Sequence, residues 1–521
     1  MHRIIIAISI ALTICTSAYS QDTIDFATAN NKTLQYTNES KWDSVIYYGT
    51  LALKNNIDYF FLRQRIGIAY YSLKNYFKAI DHFEKALQFS SSDAATIKYL
   101  YYCYLFTNRE NERRLLESGM NENIKKSIGL KSKKIIISSI YIEGGTVICD
   151  NFKRNENTDV NKEYKFYGEA DLNNNINYLQ AGLTHPVSKR ITIYHGIQLI
   201  QMDKMKIMSA YNHTPGDKIT EVSYDSTFYM MPPPAHYIYD TIYTIHQTYN
   251  KTNHTEKKSS TLKQLDYYIS CNIHTKRGID VVPFFHYLNV KYTSLFVNIQ
   301  KILFNAVDSI ILHTQVWLPD SGGPNIVDTV LISTNAHADT LYTYPFPKSK
   351  VTLSNFVAGL SFSKYFGRSK VTVFGSFSNL NNKKQIEAGA GIIYFPKGNM
   401  NLYTGGTFTF LYEKNQNRAV CHVLAGFKIL KKMWIEGSST LGRVLNFTEN
   451  NGYFVYNNPD AIIFSAGLKP IFVFNRFDIS LNYRYLIKEA QYITYTSGSD
   501  YEYNKINYSG HSITGGVRWR F

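Results

Sequence analysis

The side chains that could do chemistry are few and scattered: His195, His274, His422, and His511 beside Ser512. A Ser next to a His invites a nucleophile-and-base reading, but neighbours on a strand point to opposite faces. No phosphate-binding glycine loop, HExxH, GxSxG or CxxC pair occurs. The four cysteines beyond the N-terminal segment, Cys103, Cys149, Cys271 and Cys421, have neither zinc-site nor disulfide-framework spacing. They read as small apolar fillers. No catalytic, cofactor-binding or metal-ligating residue is assigned, and the chain is read as a non-enzyme that needs no cofactor.

A repeated tripeptide, Asp followed by Ser or Thr and then an apolar residue or Thr, is more distinctive. It occurs around Ser226, Thr241, Ser309, Thr329 and Thr340, and again at Asp22-Thr23-Ile24 and Asp43-Ser44-Val45. It resembles the O-glycosylation sequon that some diderm bacteria use on exported proteins. That resemblance implies glycans on those five hydroxyls. The alternative is that Asp-Thr before an apolar residue begins a strand. Pro232-Pro233-Pro234 reads as a stiff loop tip.

Met1 to Ser20 has a basic start (His2, Arg3), an apolar run from Ile4 to Ile14, and Ala18-Tyr19-Ser20 before Gln21. This is the pattern of a cleaved signal peptide. Ile14 before Cys15 argues against lipidation. No other stretch reaches the roughly 18 apolar residues of a membrane helix, yet the chain holds 43 Tyr and 31 Phe. Net charge is +16, or +15 once Arg3 leaves. The basic residues are dispersed and the chain is exported, which argues against nucleic acid as a partner.

The elements that carry these residues fall into two sets. Residues 21–39 read as a linker and 40–127 as paired helices. Gly67 and Tyr70 lie on one helix, and Tyr76, Ala79, Phe83 and Ala86 on the next. This resembles the tetratricopeptide repeat, a helix–turn–helix of about 34 residues. Arg63 and Ser91 depart from its pattern. A weaker copy, Trp42, Val45, Gly49 and Ala52, precedes the second helix by 34 residues. Such repeats imply a periplasmic protein partner; a plain spacer at a barrel mouth is the other reading.

From residue 134 to 521 the period becomes two. Leu265, Tyr267, Ile269, Cys271 and Ile273 alternate with polar neighbours, and Ile479, Leu481, Tyr483 and Tyr485 do the same. Short connections (Pro186–Arg190, Lys276–Gly278, Gly367–Ser369, Pro396–Asn399, Lys431–Lys432, Asn475–Arg476) contrast with long ones near 207–260 and 293–349. Each short turn carries Lys or Arg. That asymmetry is the signature of an antiparallel transmembrane β-barrel with external loops. Counting from turn to turn gives about 14 strands, with 12 or 16 as alternatives. The fold class is therefore α+β and multidomain, a helical repeat domain followed by a barrel.

The last strand places Gly515, Val517, Trp519 and Phe521 in step. It resembles the C-terminal β-signal, which implies insertion by the outer-membrane assembly machinery. The whole layout resembles tetratricopeptide–barrel outer-membrane proteins, including exopolysaccharide exporters. By that resemblance the chain sits among outer-membrane lipids with its helices in the periplasm. It is then a transport or export pore for a polar or saccharide-like solute, with a docking domain. The alternative is a non-conducting surface barrel whose loops bind a ligand or partner. A folded barrel is expected to change mobility on boiling in an outer-membrane fraction; a soluble protein without that shift would overturn the layout.

Overall fold

The computed structural model describes residues 23–130, 136–161, 167–229, 236–317, 326–414, 416–457, 459–496 and 500–521. The signal segment Met1–Ser20 and the Pro232-Pro233-Pro234 tip lie outside the described residues.

Seven helices come first among the described residues: α1 (Phe26–Asn38), α2 (Trp42–Lys54), α3 (Phe60–Ser72), α4 (Tyr76–Phe89), α5 (Ala94–Phe106), α6 (Glu110–Gly119) and α7 (Glu122–Ser127). The stretch expected as a linker is thus largely helix. Asp25 caps α1 by accepting from the Thr28 N–H at 2.7 Å. Its buried face holds only Ala29 and Thr33, too little for an apolar stripe to show in the sequence. Ala29 packs instead on Ala52, Leu62 and Ile66 of α2 and α3. Asp93 and Asn121 cap α5 and α7 in the same way, accepting from Thr96 and Ile124 at 2.8 and 2.9 Å.

The repeat residues meet at the α3–α4 contact. Ala79, Phe83 and Ala86 are fully buried, and Tyr70 stacks on His82 with ring centroids 5.5 Å apart. Gly67 lies against the Phe83 ring; a Cβ there would come within 2.6 Å of it. Gly49 is pressed the same way against Ile66. These glycines let a side chain of the neighbouring helix lie directly on the backbone. Burial pushes the Cys103 thiol well above its ordinary range, in keeping with an inert filler.

The barrel strands are β1 (Ser139–Cys149), β2 (Tyr167–Pro186), β3 (Ile191–Tyr229), β4 (His236–His274), β5 (Ile279–Leu295), β6 (Gln300–Trp317), β7 (Ile326–Thr343), β8 (Lys348–Phe366), β9 (Ser369–Ser378), β10 (Gln385–Tyr394), β11 (Leu402–Glu413), β12 (Gln416–Leu430), β13 (Met433–Val444), β14 (Phe447–Glu449), β15 (Phe454–Tyr456), β16 (Ala461–Val473), β17 (Phe477–Tyr495) and β18 (Tyr501–Arg520). A helix of five residues, α8 (Asn151–Asn155), follows β1. Fourteen of the strands close into one antiparallel barrel; β6, β7, β14 and β15 stand outside that ring. The seam is β1 on β18, from Ser139↔Arg520 to Cys149↔Gly510.

The two long connections are not loops. Residues 207–260 are mostly the outer halves of β3 and β4, paired as far as Tyr229↔His236. Within 293–349, β6 and β7 form a hairpin that adds to outer β4 from His236↔Trp317 to Thr244↔Ser309. Alternating stretches such as Tyr239–Ile245 and Val330–Thr334 run through these hairpins, as the reading of Asp-Thr as the start of a strand expects. Each 39-residue strand far exceeds the roughly 9–11 residues that cross a bilayer.

Replacing Gly67 by Val should cost the helical domain about 1–3 kcal/mol through overpacking against Phe83. A melt of the full chain followed at the helical circular-dichroism band should show an earlier helical transition, while the boiling-dependent mobility stays. An unchanged transition would mean that the α3–α4 contact is looser than the geometry requires.

Candidate functional site in the barrel lumen

Alternation along the strands gives the barrel an apolar outside and a polar inside. Outward residues such as Ile142, Leu199, Phe408, Leu481 and Val517 are 43–56% exposed. Between them, Gln180, Gln198, Gln264 and Asp266 point inward and are buried. The lumen holds a cavity of about 2860 Å3, lined by all the strands of the ring, by α6 and by the segment 447–457.

That segment is the feature the alternation pattern did not reveal. β14 and β15 form a short hairpin between β13 and β16, at the end of the barrel that carries the long hairpins. It folds inward and reaches the opposite wall. The Tyr453 hydroxyl meets that of Tyr194 on β3 at 2.9 Å. Tyr268 on β4 donates to the Asn451 carbonyl at 3.0 Å, and the His286 ring on β5 donates through Nδ1 to the Gly452 carbonyl at 2.8 Å. At its near end, the Thr448 N–H donates to Glu387 on β10 at 2.9 Å. Asn457 donates to Gln264 at 2.9 Å, and Arg484 reaches the Tyr456 hydroxyl at 3.2 Å. Gly452 has φ +71°, and a Cβ there would lie 2.5 Å from the Phe284 ring, so the tip fits only glycine. The sequence signal was a cluster of Asn446, Asn450, Asn451 and Gly452, all with positive φ, which reads as an ordinary turn.

Beneath the hairpin, Glu143 gathers the lumen's polar wall. It accepts from Tyr178 and Gln180 at 2.9 Å each and from Tyr141. Gln198 in turn donates to Gln180 at 2.7 Å. Buried polar groups of this kind hold position only when bonded, and together they make a stiff hydrogen-bonding surface.

The helical domain seats on the short-turn end. Phe77 stacks on Phe395 at 4.7 Å, and its N–H donates to the Gly398 carbonyl at 3.1 Å. Asn399 donates to the Lys74 carbonyl at 2.8 Å. Arg109 lies over the Tyr365 ring at 5.0 Å. Asn111 donates to Asn272 and Asp280 at 3.2 and 2.8 Å, and Arg114 to Thr192 at 2.5 Å. Gly398 has φ +66°, and a Cβ there would run into the Asn75 side chain.

The histidines fall on both surfaces. His195 is on the outer face, 2.7 Å from the Tyr267 hydroxyl. His511 is also outside, 2.9 Å from Tyr483, whereas Ser512 faces inward. His422 lines the lumen beside Thr440 at 2.9 Å. His274 is buried on Asp280 at 2.7 Å, under α6. Val517, Trp519 and Phe521 are exposed on the outer face, with Trp519 stacked on Phe477. Gly515 packs beside Leu481. Of the sequon hydroxyls, Thr241 lies half-buried within β4 and Thr329 is exposed on β7, 3.2 Å from Thr314. The side chains of Ser226, Ser309 and Thr340 lie outside the described residues.

No protein-family model matches the chain, and no curated protein matches it. Among solved structures, the helical part is similar to a point mutant of MamA at 19% identity and a TM-score of 0.17, over 22% of this chain and 78% of that one. The chain spans 59% and 64% of two further MamA structures. The barrel part is similar to a bacterial polysaccharide outer membrane secretin (8% identity, TM-score 0.28, 74% of this chain and 100% of that one). It is also similar to a Pseudomonas aeruginosa FadL homologue (8%, 0.34, 74% and 90%). At these identities and TM-scores the fold rests on the strand register itself and not on the likeness.

Gly398→Val should unseat the helical domain, because the turn cannot keep its left-handed conformation and Asn75 blocks the added carbons. Proteolytic release of the helical fragment from the folded protein should accelerate about tenfold, the equivalent of ~1.4 kcal/mol. Unchanged release would show that the seating rests elsewhere.

Proposed function

We propose that this chain is an outer-membrane pore for a polar or saccharide-like solute, entered from the periplasm beneath the helical domain and narrowed by its own inward hairpin. The observation that carries this reading is the large cavity that runs from α6 at the short-turn end up to Tyr453, lined by tyrosines together with Gln180, Gln198, Thr407 and Asn482. The apolar outer face suits a bilayer. Short turns with the helical domain at one end, and long hairpins at the other, suit a periplasmic and an external side. Gly515, Val517, Trp519 and Phe521 would serve insertion by the assembly machinery, and the repeats would receive a periplasmic protein. Of the two sequon hydroxyls whose side chains are described, Thr329 is the more exposed and would take a glycan. No catalysis is assigned to the chain.

The hairpin's ties to the far wall favour a second reading, a barrel that does not conduct and acts through its external hairpins. Single-channel recording separates the two. Replacing residues 446–457 by a short Gly-Ser link should raise a measurable wild-type conductance at least about twofold, since the constriction sets the narrowest section. A silent wild type with a conducting variant would favour the plugged reading. Silence from both would end the pore reading.

A further inference from the structure

The tip of the inward hairpin rests on a histidine whose other ring nitrogen faces a carboxylate. His286 Nδ1 is 2.8 Å from the Gly452 carbonyl oxygen. A carbonyl only accepts, so Nδ1 carries a hydrogen. On the far side of the ring, Nε2 is 3.6 Å from Asp266 Oδ2. His286 is fully buried and Asp266 is 1% exposed. Asp266 Oδ2 accepts from Gln264 at 2.8 Å. Among the described residues, neither His286 Nε2 nor Asp266 Oδ1 has a hydrogen-bond partner.

A neutral imidazole with its hydrogen on Nδ1 presents a lone pair at Nε2, and an ionised Asp266 presents another. Two buried acceptors face to face are unfavourable. The pair becomes favourable when one more proton lies between them, on Nε2 or on the carboxylate. A metal ion would need more ligands, and no group of three or more His, Cys, Asp or Glu side chains able to hold one occurs among the described residues. The other groups around the ring are phenols and apolar side chains. Tyr268 from β4 meets it edge to face at 5.5 Å, with Tyr453 of the hairpin and Tyr194 of β3 behind. Val357 on β8 stands opposite. Phenols ordinarily keep their proton below about pH 10.

Loss of the shared proton acts in one direction. Neutral His286 has one N–H for two acceptors, the Gly452 carbonyl and the Asp266 carboxylate. The charged acceptor forms the stronger bond. The hydrogen therefore moves to Nε2, and Nδ1 turns a lone pair on the Gly452 oxygen. The tip loses its hold on β5 and hangs on the bonds through Tyr268 and Tyr453. Glu387, at the near end of the hairpin, acts with the opposite sign, because ionisation strengthens the bond it accepts from the Thr448 N–H.

We propose that His286 and Asp266 share a proton that latches the hairpin tip across the lumen, and that its loss as pH rises frees the tip and widens the pore. The widening rests on the pore reading above; the latch does not. The test is hydrogen exchange at residues 450–453 of the full chain in detergent, expressed relative to the unstructured rate so that the chemistry of exchange cancels. Protection should fall at least about tenfold between about pH 5 and about pH 8, the range in which histidines change charge. Asp266→Asn should stay protected throughout, because an amide donates to Nε2 without a shared proton. His286→Gln, which has no group that titrates, should also lose the step. Boiling-dependent mobility checks that each variant folds. A flat wild-type profile, protection that falls toward acid instead, or a folded variant that keeps the step overturns the latch. If the channel conducts, its conductance should rise over the same range in the wild type and not in the variants. A conducting channel that ignores the step overturns the gating. A silent channel whose tip still shows the step supports the latch while the pore reading fails.

Discussion

A strand at the edge of a sheet leaves a row of N–H and C=O groups without main-chain partners, and only closure of the sheet into a barrel removes every edge. Everything else in this chain follows from that constraint. It forces closure of β1 on β18 and fixes the register of every strand. It therefore fixes which side chain of each neighbouring pair faces outward and which faces the lumen. A slip of one residue would put Gln180 and Gln198 outside and Leu179 and Leu199 inside.

Closure also creates an interior that must be filled or hydrated. Here it is filled unequally. The wall around Glu143 satisfies its polar groups with one another, and the inward hairpin satisfies its own by crossing to the far wall. The cavity between them stays open. The hairpin is held by main-chain carbonyls at its tip, Asn451 and Gly452, and by one hydroxyl pair, Tyr194 with Tyr453. Its position thus depends on a few directional bonds and on a glycine that no larger residue can replace.

The helical domain solves a different problem. Three helix pairs are near the minimum for a stable stack, and Phe77 remains apolar at the end of α4. Burying Phe77 on Phe395 and Tyr403 ties the small domain to the large one and determines where it sits.

The sequence by itself determined the two-part layout, a count of about fourteen strands, the two faces of strands such as those over 265–273 and 479–485, and the α3–α4 repeat contact. Each of these is written in local periodicity or in close-packed small residues such as Gly67 and Ala79. The tertiary structure alone decided three things. α1 is a helix because α2 and α3 offer Ala29 a surface, not because its own residues form an apolar stripe. The stretches 207–260 and 293–349, which the sequence left open between loops and extended hairpins, are strands because β3, β4, β6 and β7 pair through their main chains. The segment after β13 enters the lumen because Glu387, Tyr194, Tyr268 and His286, distant in sequence, converge on it. Contacts between residues far apart along the chain leave no period to read, and the lumen's shape is made of such contacts.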